Sequence, residues 1–243
     1  MGPDLLLALK LADAADAISL GRFRARDLVV ETKPDATPVT EADHAVERAI
    51  RELLEQERPD DVILGEEEGA SGDGERRWIV DPIDGTRNYS RGVPIWATLI
   101  ALEIEGTVEV GVVSAPALAR RWWAERGGGA WADGDRVHVS AIRRVEDAVL
   151  SFALEQPIPS LAAQAWHARG YGDFWSHMLV AEGAIDGAID AIGVKAWDLA
   201  AIQPIVEEAG GRFSDFSGEA RIDGQSAISS NGHLHGVLLE AVA

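Results

Sequence analysis

The chain has 243 residues, 47% of them hydrophobic, and a formal net charge of −19 at pH 7, which is enough apolar material for one large domain or two closely packed small ones. The negative charge argues against a nucleic-acid or acidic-membrane binder, although bound metal ions can invert the local charge for a small phosphate substrate. There is no cysteine, no apolar run near the ~20 residues of a membrane span and no signal-peptide pattern at the N-terminus, so we expect a cytoplasmic protein without disulfides or thiolate metal sites.

The first half of the sequence predicts two helices and a largely antiparallel sheet. The first helix covers residues 3–20 and ends at Gly21. The second runs from an N-cap at Thr40, with Asp43 three residues later in a capping-box-like arrangement, to about Gln56. The Gly- and charge-rich residues 70–77 predict a mobile loop. Strands are expected at 62–64, 78–80, 95–104, 108–115, 121–124 and 130–132.

The second half alternates strands and helices, which predicts an α/β layer with a mixed sheet. Pro204 predicts a bend inside the helix expected at 197–209. We place a seam near residues 138–147, so that an N-terminal subdomain (1–140) and a C-terminal subdomain (141–243) form one compact unit. The other elements expected here are strands at 148–153, 185–189, 212–214 and 227–230 and helices at 160–168, 173–182 and 234–241.

Two aspartates follow the apolar run 78–80, and they predict a metal and phosphate site. Burying Asp81 and Asp84 at the end of an apolar strand is costly unless a cation compensates. Gly85 permits a sharp turn, and Thr86 offers a hydroxyl and an N–H where a helix begins. All candidate ligands are oxygen donors, which favours Mg²⁺ or Mn²⁺ over Zn²⁺. The other carboxylates have alternative explanations that do not involve a site. Residues 66–68 could be a solvated acidic loop, and Asp43 and Asp198 could stabilise helix dipoles.

Three stretches carry a resemblance that covers nearly the whole chain. GEEEG at 65–69, WIVDPIDGTRNYSRGVPIWATLIAL at 78–102 and AWDLAAIQPIVEEAGG at 196–211 resemble the motifs of the inositol monophosphatase family, the metal-dependent, lithium-sensitive phosphatases related to fructose-1,6-bisphosphatase. TPVTEAD at 37–43 and SNG at 230–232 extend the likeness. The resemblance implies an α+β fold, a layered αβαβα sandwich, and a homodimer that acts on a small-molecule phosphate ester.

The resemblance also implies roles for single residues. Metal ligands would be Glu66, Asp81, the carbonyl of Ile83, Asp84 and Asp198, holding two or three Mg²⁺ ions with Mn²⁺ as an alternative. Glu67 and Thr86 would orient or activate the attacking water, with Asp43 as a third catalytic residue. The N–H groups of Gly85 and Thr86 would hold the phosphate, and Lys33 and Asp43 would lie near the site on a mobile segment, 33–43.

The identity of the ester depends on residues 168–191. Within the family, ARGYGDFWSHMLVAEGAIDGAID at 168–190 and the runs at 91–102 and 115–123 resemble bacterial histidinol-phosphate phosphatases. Asp173 is the expected contact to a cationic leaving group; the alternative is a simple helix N-cap. Where inositol-phosphate members carry a glutamate, this chain has Ala191 with Asp190 beside it, so Asp190 is a second candidate. Inositol 1-phosphate, fructose 1,6-bisphosphate and a nucleotide 3′-phosphate remain alternative substrates, and a non-catalytic partner-binding protein is the alternative of another class.

Overall fold

The computed structural model describes residues 1–154 and 158–243. The helices are α1 (Pro3–Arg22), α2 (Glu41–Glu57), α3 (Thr86–Ser90), α4 (Pro159–Gln164), α5 (Asp173–Ala181), α6 (Ala196–Ala200), α7 (Ile202–Glu208) and α8 (His235–Val242). The strands are β1 (Val30–Thr32), β2 (Pro38–Thr40), β3 (Val62–Gly65), β4 (Gly69–Ser71), β5 (Arg76–Asp84), β6 (Ala97–Ile104), β7 (Thr107–Ala115), β8 (Arg120–Glu125), β9 (Ala130–Ala132), β10 (Asp135–Arg136), β11 (Val149–Ala153), β12 (His167–Arg169), β13 (Gly187–Asp190), β14 (Arg212–Ser214) and β15 (Ala227–Ser230).

The larger sheet has eight strands in the order β10-β9-β8-β7-β6-β5-β3-β4. All its neighbours pair antiparallel except β3 and β5, which run parallel with Gly65 opposite Val80. The carboxyl ends of β3 and β5 therefore meet at one edge of the sheet. A two-stranded hairpin of β1 and β2 stands apart from this sheet.

The smaller sheet has five strands in the order β12-β11-β13-β15-β14. Strands β11, β12 and β13 are parallel to one another, and β15 pairs antiparallel with β13 and β14. This is the mixed sheet that the alternating second half of the sequence predicts.

Helices cover both faces of each sheet because alternate residues of the strands are apolar on both sides. Trp78 and Val80 of β5 pack with α1 and α2 on one face of the larger sheet. Ile79 faces the opposite way, toward a cluster that includes Phe174 of α5 and Ile202 of α7. Helices α4 and α8 cover the far face of the smaller sheet. The order of layers is αβαβα, so the predicted α+β sandwich is confirmed, while the division at residue 140 stays a prediction.

Three predicted elements differ from the structure. Residues 70–77, expected to be a loop, contain most of β4 and the start of β5. The helix expected at 160–168 stops at Gln164, and His167–Arg169 form an edge strand. The helix expected at 197–209 is interrupted at Ala201, and Pro204 lies in the first turn of α7, where its missing N–H costs no hydrogen bond. In the described part of the chain no helix has the length and apolarity to cross a membrane.

Candidate active site

The parallel pair β3 and β5 brings two acidic motifs to one edge of the larger sheet. Glu66 follows β3 directly, and its N–H donates to the carbonyl of Val80 at 3.2 Å. Asp81 is the next residue on β5, so Glu66 and Asp81 lie at the same edge although they are 15 residues apart. The edge that carries the site is thus set by strand register.

A bulge in β5 turns Asp84 toward Asp81. Asp81 lies opposite Leu99 and Asp84 opposite Ala97 of β6, so three steps on β5 match two on its partner. Residues three apart point to opposite faces of a regular strand, whereas one extra residue returns them to the same face. The Asp-x-x-Asp spacing therefore places both carboxylates together only because the strand is bulged.

Asp198 completes an acidic cluster from the other half of the chain. It lies in the first turn of α6, where the backbone N–H of Lys195 donates to its Oδ2 at 2.6 Å. One carboxylate oxygen from each of Asp81, Asp84 and Asp198 lies within 4.8 Å of the other two. The backbone N–H of Phe174, in the first turn of α5, also donates to Asp84 Oδ2 at 2.7 Å.

The electrostatics of this cluster favour a bound cation. Burial, followed by repulsion from Glu66 and Asp84, raises the pKa of Asp81 well above its ordinary value. Burial raises the pKa of Asp198 to about 7, and burial together with the charge of Asp173 raises that of Asp84. Asp81 Oδ1 is buried without a hydrogen-bond partner among residues 1–154 and 158–243. Hard oxygen donors with an unsatisfied buried oxygen fit Mg²⁺ or Mn²⁺.

The turn after β5 forms the floor of the site. Gly85 has φ +83°, and a Cβ there would lie 3.1 Å from the carbonyl oxygen of Ile95, so glycine is needed at this position. Thr86 begins α3, and its hydroxyl donates to the carbonyl of Ile83 at 2.9 Å. The same hydroxyl lies 3.3 Å from Asp43 Oδ1.

Asp43 lies in the first turn of α2, buried behind Thr86. Its Oδ2 accepts from the N–H of Thr40 at 2.8 Å and from the Thr40 hydroxyl at 2.5 Å, so the predicted capping box is present. Burial raises the pKa of Asp43. Part of the predicted mobile segment, 33–43, is therefore regular structure: 38–40 form β2 and 41–43 begin α2.

Lys33 lies at the turn between β1 and β2 and reaches the acidic motif after β3. Its ammonium is 2.8 Å from Glu66 Oε1 and 2.6 Å from Glu67 Oε1. Burial lowers the pKa of Lys33, but the hydrogen bonds and charges of the two glutamates outweigh burial, so the net shift is upward. For Glu67 the balance is reversed, and burial raises its pKa despite Lys33.

A buried ion pair on α2 supports the acidic motif and was not predicted from the sequence. The Glu47 carboxylate is fully buried and accepts from the backbone N–H of Glu67 at 2.7 Å and of Glu68 at 3.0 Å. Arg51 donates to it at 2.8 and 2.9 Å. Gly65 packs so closely that an added Cβ would lie 2.0 Å from Glu47 Oε1. The signal in the sequence is an i, i+4 charge pair beside the apolar positions of α2.

Two further carboxylates lie at the start of α5 and at the end of β13. Asp173 has φ +47° and makes no capping hydrogen bond, and Gly172 is the N-cap, so the alternative of a simple N-cap is wrong. Asp190 ends β13 and accepts from the N–H of Ile192 at 3.2 Å. Burial raises the pKa of Asp173 and takes that of Asp190 to about 7.

These groups share one cleft of about 660 Å³. Ten of the residues predicted for the site line it: Lys33, Glu66, Asp81, Ile83, Asp84, Gly85, Thr86 and Asp198, and the predicted leaving-group contacts Asp173 and Asp190. Asp43 and Glu67 do not line the cleft but touch residues that do. The side chain of Ile83 is fully buried, so only its backbone faces the site. The role of each residue remains a prediction.

Comparisons with known proteins agree with this architecture. A sequence model of the inositol monophosphatase family matches residues 3–243. The histidinol-phosphatase of Mycobacterium tuberculosis (strain ATCC 25618 / H37Rv) is 51% identical, with 97% of this chain and 96% of the relative covered. The histidinol-phosphatase of Streptomyces coelicolor is 48% identical, with 97% and 95% covered. Among solved structures, the extragenic suppressor protein SuhB of Bartonella henselae superposes with a TM-score of 0.92 at 30% identity, covering 99% of this chain and 98% of that one.

Proposed function

The chain belongs to the inositol monophosphatase family, and from that premise we propose that it is a Mg²⁺-dependent phosphatase of histidine biosynthesis that hydrolyses histidinol phosphate. The relatives that match at 44–51% identity over nearly the whole chain are histidinol-phosphatases. The observation that carries the choice of ester is the pair Asp173 and Asp190, which line the same cleft as the acidic cluster. Two carboxylates suit an alcohol that carries a cationic amine and an imidazole.

Five groups would hold the metal: the carboxylates of Glu66, Asp81, Asp84 and Asp198 and the carbonyl oxygen of Ile83. Asp81 would be central to this set, since its buried Oδ1 lacks a partner among the described residues. When bound, Mg²⁺ acts as a Lewis acid that lowers the pKa of water and neutralises charge on the phosphoryl group. The carboxylates must be ionised to bind Mg²⁺. Because the pKa values of Asp81 and Asp198 are raised in the metal-free protein, binding of the metal itself would drive their ionisation.

The chain's own groups would orient the attacking water and take its proton. The Thr86 hydroxyl lies 2.9 Å from the Ile83 carbonyl oxygen and 3.3 Å from Asp43 Oδ1, so its single proton can be donated to either acceptor, and the proposed relay uses the orientation toward Asp43. A water that donates to Thr86 Oγ1 can pass its proton toward Asp43, whose raised pKa suits a base. Glu67 would help to orient the water. The water oxygen bonds to phosphorus as the ester P–O bond breaks, and the leaving alkoxide takes a proton from a solvent water, so no covalent enzyme intermediate forms.

The turn at Gly85 would hold the phosphate. Its left-handed conformation begins α3, where the N–H groups of Gly85 and Thr86 have no helical partners. Both residues line the cleft beside Asp84. Amide N–H groups fixed by the backbone do not have to reorient during the reaction. Such preorganised donors are the main requirement for stabilising a transferring phosphoryl group.

Specific observations argue against two alternatives. Inositol 1-phosphate would use the same chemistry, and Ala191 in place of a glutamate argues against it, although Asp190 rather than Ala191 lines the cleft. A non-catalytic partner-binding protein would not need Asp81, Asp84 and Asp198 buried together at high electrostatic cost. We further propose a cytoplasmic homodimer, as the family resemblance implies, and light scattering after size-exclusion chromatography tests that state.

A substrate panel tests the proposal. Phosphate release is measured with Mg²⁺ and with EDTA for histidinol phosphate, inositol 1-phosphate, fructose 1,6-bisphosphate and a nucleotide 3′-phosphate. We expect the highest kcat/KM for histidinol phosphate and no turnover in EDTA. Asp173→Asn should lower that preference at least tenfold, while Asp60→Asn, at an exposed loop position, serves as the matched control. Equal or better kcat/KM for inositol 1-phosphate would overturn the choice of ester, and no turnover of any ester would overturn the phosphatase.

A further inference from the structure

His177 is a buried residue behind the cleft that the proposed chemistry does not use. It lies on α5 and is 1% exposed. Its Nδ1 is 2.7 Å from the hydroxyl of Ser229 on β15. Its Nε2 points the other way and lies 4.0 Å from Asp190 Oδ2, too far for a direct hydrogen bond. One edge of the ring is therefore held by the sheet, and the other faces a carboxylate across a gap.

That gap belongs to a side cavity of about 70 Å³ that adjoins the cleft. Asp84, Asp173, Asp190 and Asp198 line both spaces, whereas His177 and the apolar Phe174 line the side cavity. At ~30 Å³ for a water molecule, the cavity holds about two small groups. No lysine or arginine lines it among the described residues. Asp84 and Asp198 are proposed metal ligands, so Asp173, Asp190 and the imidazole are the side chains of this cavity that a second, small cation can meet.

The imidazole can accept a hydrogen bond because it is neutral. Burial lowers the pKa of His177 to about 4, so at pH 7 one ring nitrogen carries a lone pair. The Ser229 hydroxyl can rotate to donate or to accept, and it therefore permits the tautomer in which Nδ1 donates to Ser229 and Nε2 is the acceptor. In that tautomer, Nε2 and Asp190 Oδ2 are two acceptors 4.0 Å apart.

The separation selects one kind of donor. A nitrogen at ~2.8 Å from both acceptors would see them at an angle of roughly 90°, given their 4.0 Å separation. The three N–H bonds of a primary ammonium can serve both acceptors at such an angle, whereas a ring N–H has a single donor direction. We propose that His177 Nε2 and Asp190 Oδ2 form a subsite for the primary ammonium of the leaving alcohol. The inference rests on the proposed function, and it makes His177 a specificity-determining residue.

Product inhibition separates this subsite from the remainder of the cleft. The inhibition constants of histidinol and of 3-(imidazol-4-yl)propan-1-ol, which lacks the amine, are measured with glycerol 2-phosphate as the substrate. We expect the wild-type protein to bind histidinol at least tenfold more tightly. His177→Asn keeps an amide near Ser229 but removes the outer acceptor, so the ratio should fall to about one to three. His177→Gln places a carbonyl near the position of Nε2 and should retain most of the preference.

Controls guard against a purely structural effect. His235→Asn makes the same change at another buried histidine, held between Ser214 and Ser230, and should leave the ratio unchanged. Ser229→Ala releases the ring without altering His177, and it should also lower the ratio. This variant tests the inference if His177→Asn fails to fold. A ratio that survives His177→Asn and Ser229→Ala, or that falls equally in His235→Asn, overturns the inference. Poor wild-type hydrolysis of histidinol phosphate in the substrate panel overturns the proposed function itself, and it is measured separately from these inhibition constants.

Discussion

The support that Glu47 gives to the acidic motif predicts that a single uncharged substitution will disturb both stability and metal binding. In Glu47→Gln the side chain keeps its shape, but an NH₂ group replaces one oxygen. The two backbone N–H groups of Glu67 and Glu68 and the guanidinium of Arg51 all point at this fully buried carboxylate. An amide cannot accept from all three, so one donor faces another, and buried Arg51 is left with only the exposed carboxylate of Glu68, 3.5 Å away, as a counter-charge.

The magnitude follows from the burial. Removing one partner of a buried ion pair costs about 3–5 kcal/mol, and we expect a loss of that size in urea unfolding of Glu47→Gln. Outer groups that position metal ligands change metal affinity by roughly 10–100-fold. Because Glu66 precedes the two anchored amides, the Mg²⁺ concentration for half-maximal activity should rise within that range. Calorimetric titration with Mg²⁺ in the presence of phosphate should give the same shift without turnover.

Two comparisons make the prediction specific. Glu52→Gln changes an exposed glutamate of the same helix and should alter neither quantity. The double variant Glu47→Met with Arg51→Met removes both charges, so it should be more stable than Glu47→Gln. Its Mg²⁺ requirement should stay high, because the backbone N–H groups of Glu67 and Glu68 still lack their acceptor. A loss of less than about 1 kcal/mol in the free energy of unfolding of Glu47→Gln, or a wild-type Mg²⁺ requirement, would refute this role of Glu47.

Three further outcomes are expected. Asp84→Asn should lower kcat at least a hundredfold, since a metal contributes several kcal/mol to stabilising the transition state. Its melting temperature in EDTA should not fall, because a neutral amide replaces a buried carboxylate of raised pKa. Retained activity would contradict the metal assignment. Burial raises the pKa of Asp190 from 3.8 to about 7, so the stability it contributes is present below pH 3.8 and lost as the pH rises through about 7. The melting temperature of Asp190→Asn in EDTA should thus rise relative to that of the wild type between about pH 4 and pH 8. A difference in melting temperature that stays constant over this range would count against the raised pKa of Asp190. Gly85→Ala should cost on the order of 1–2 kcal/mol in urea unfolding because φ is +83°, and a stability within a few tenths of wild type would show that the turn relaxes.

Local signals in the sequence were sufficient for much of the site. The capping box of Thr40 and Asp43 and the turn at Gly85 each depend on neighbours within a few residues, and the structure contains both. The strand predicted at 78–80 is also present, but it does not end at Asp81, since β5 continues to Asp84. The bulge that turns Asp84 toward Asp81 depends on the pairing of β5 with β6, which a spacing of three residues does not reveal.

Features that depend on distant partners were missed. Glu47 binds amides 20 and 21 residues away, and the partner of His177 lies 52 residues along the chain. Both look like ordinary helical positions until the tertiary structure places their partners. The strand at residues 69–71 was missed for the same reason: its Gly-rich sequence has little strand propensity, and β3 supplies the pairing.

The most direct test of the metal centre is anomalous scattering from crystals grown with Mn²⁺ and phosphate. We expect two peaks roughly 3.5–4 Å apart, bridged by Asp81, with Asp84 and Asp198 on one ion, Glu66 on the other, and phosphate against the amides of Gly85 and Thr86. Peaks that avoid Asp81, or Mn²⁺ bound only at surface carboxylates while the protein is active, would contradict this arrangement.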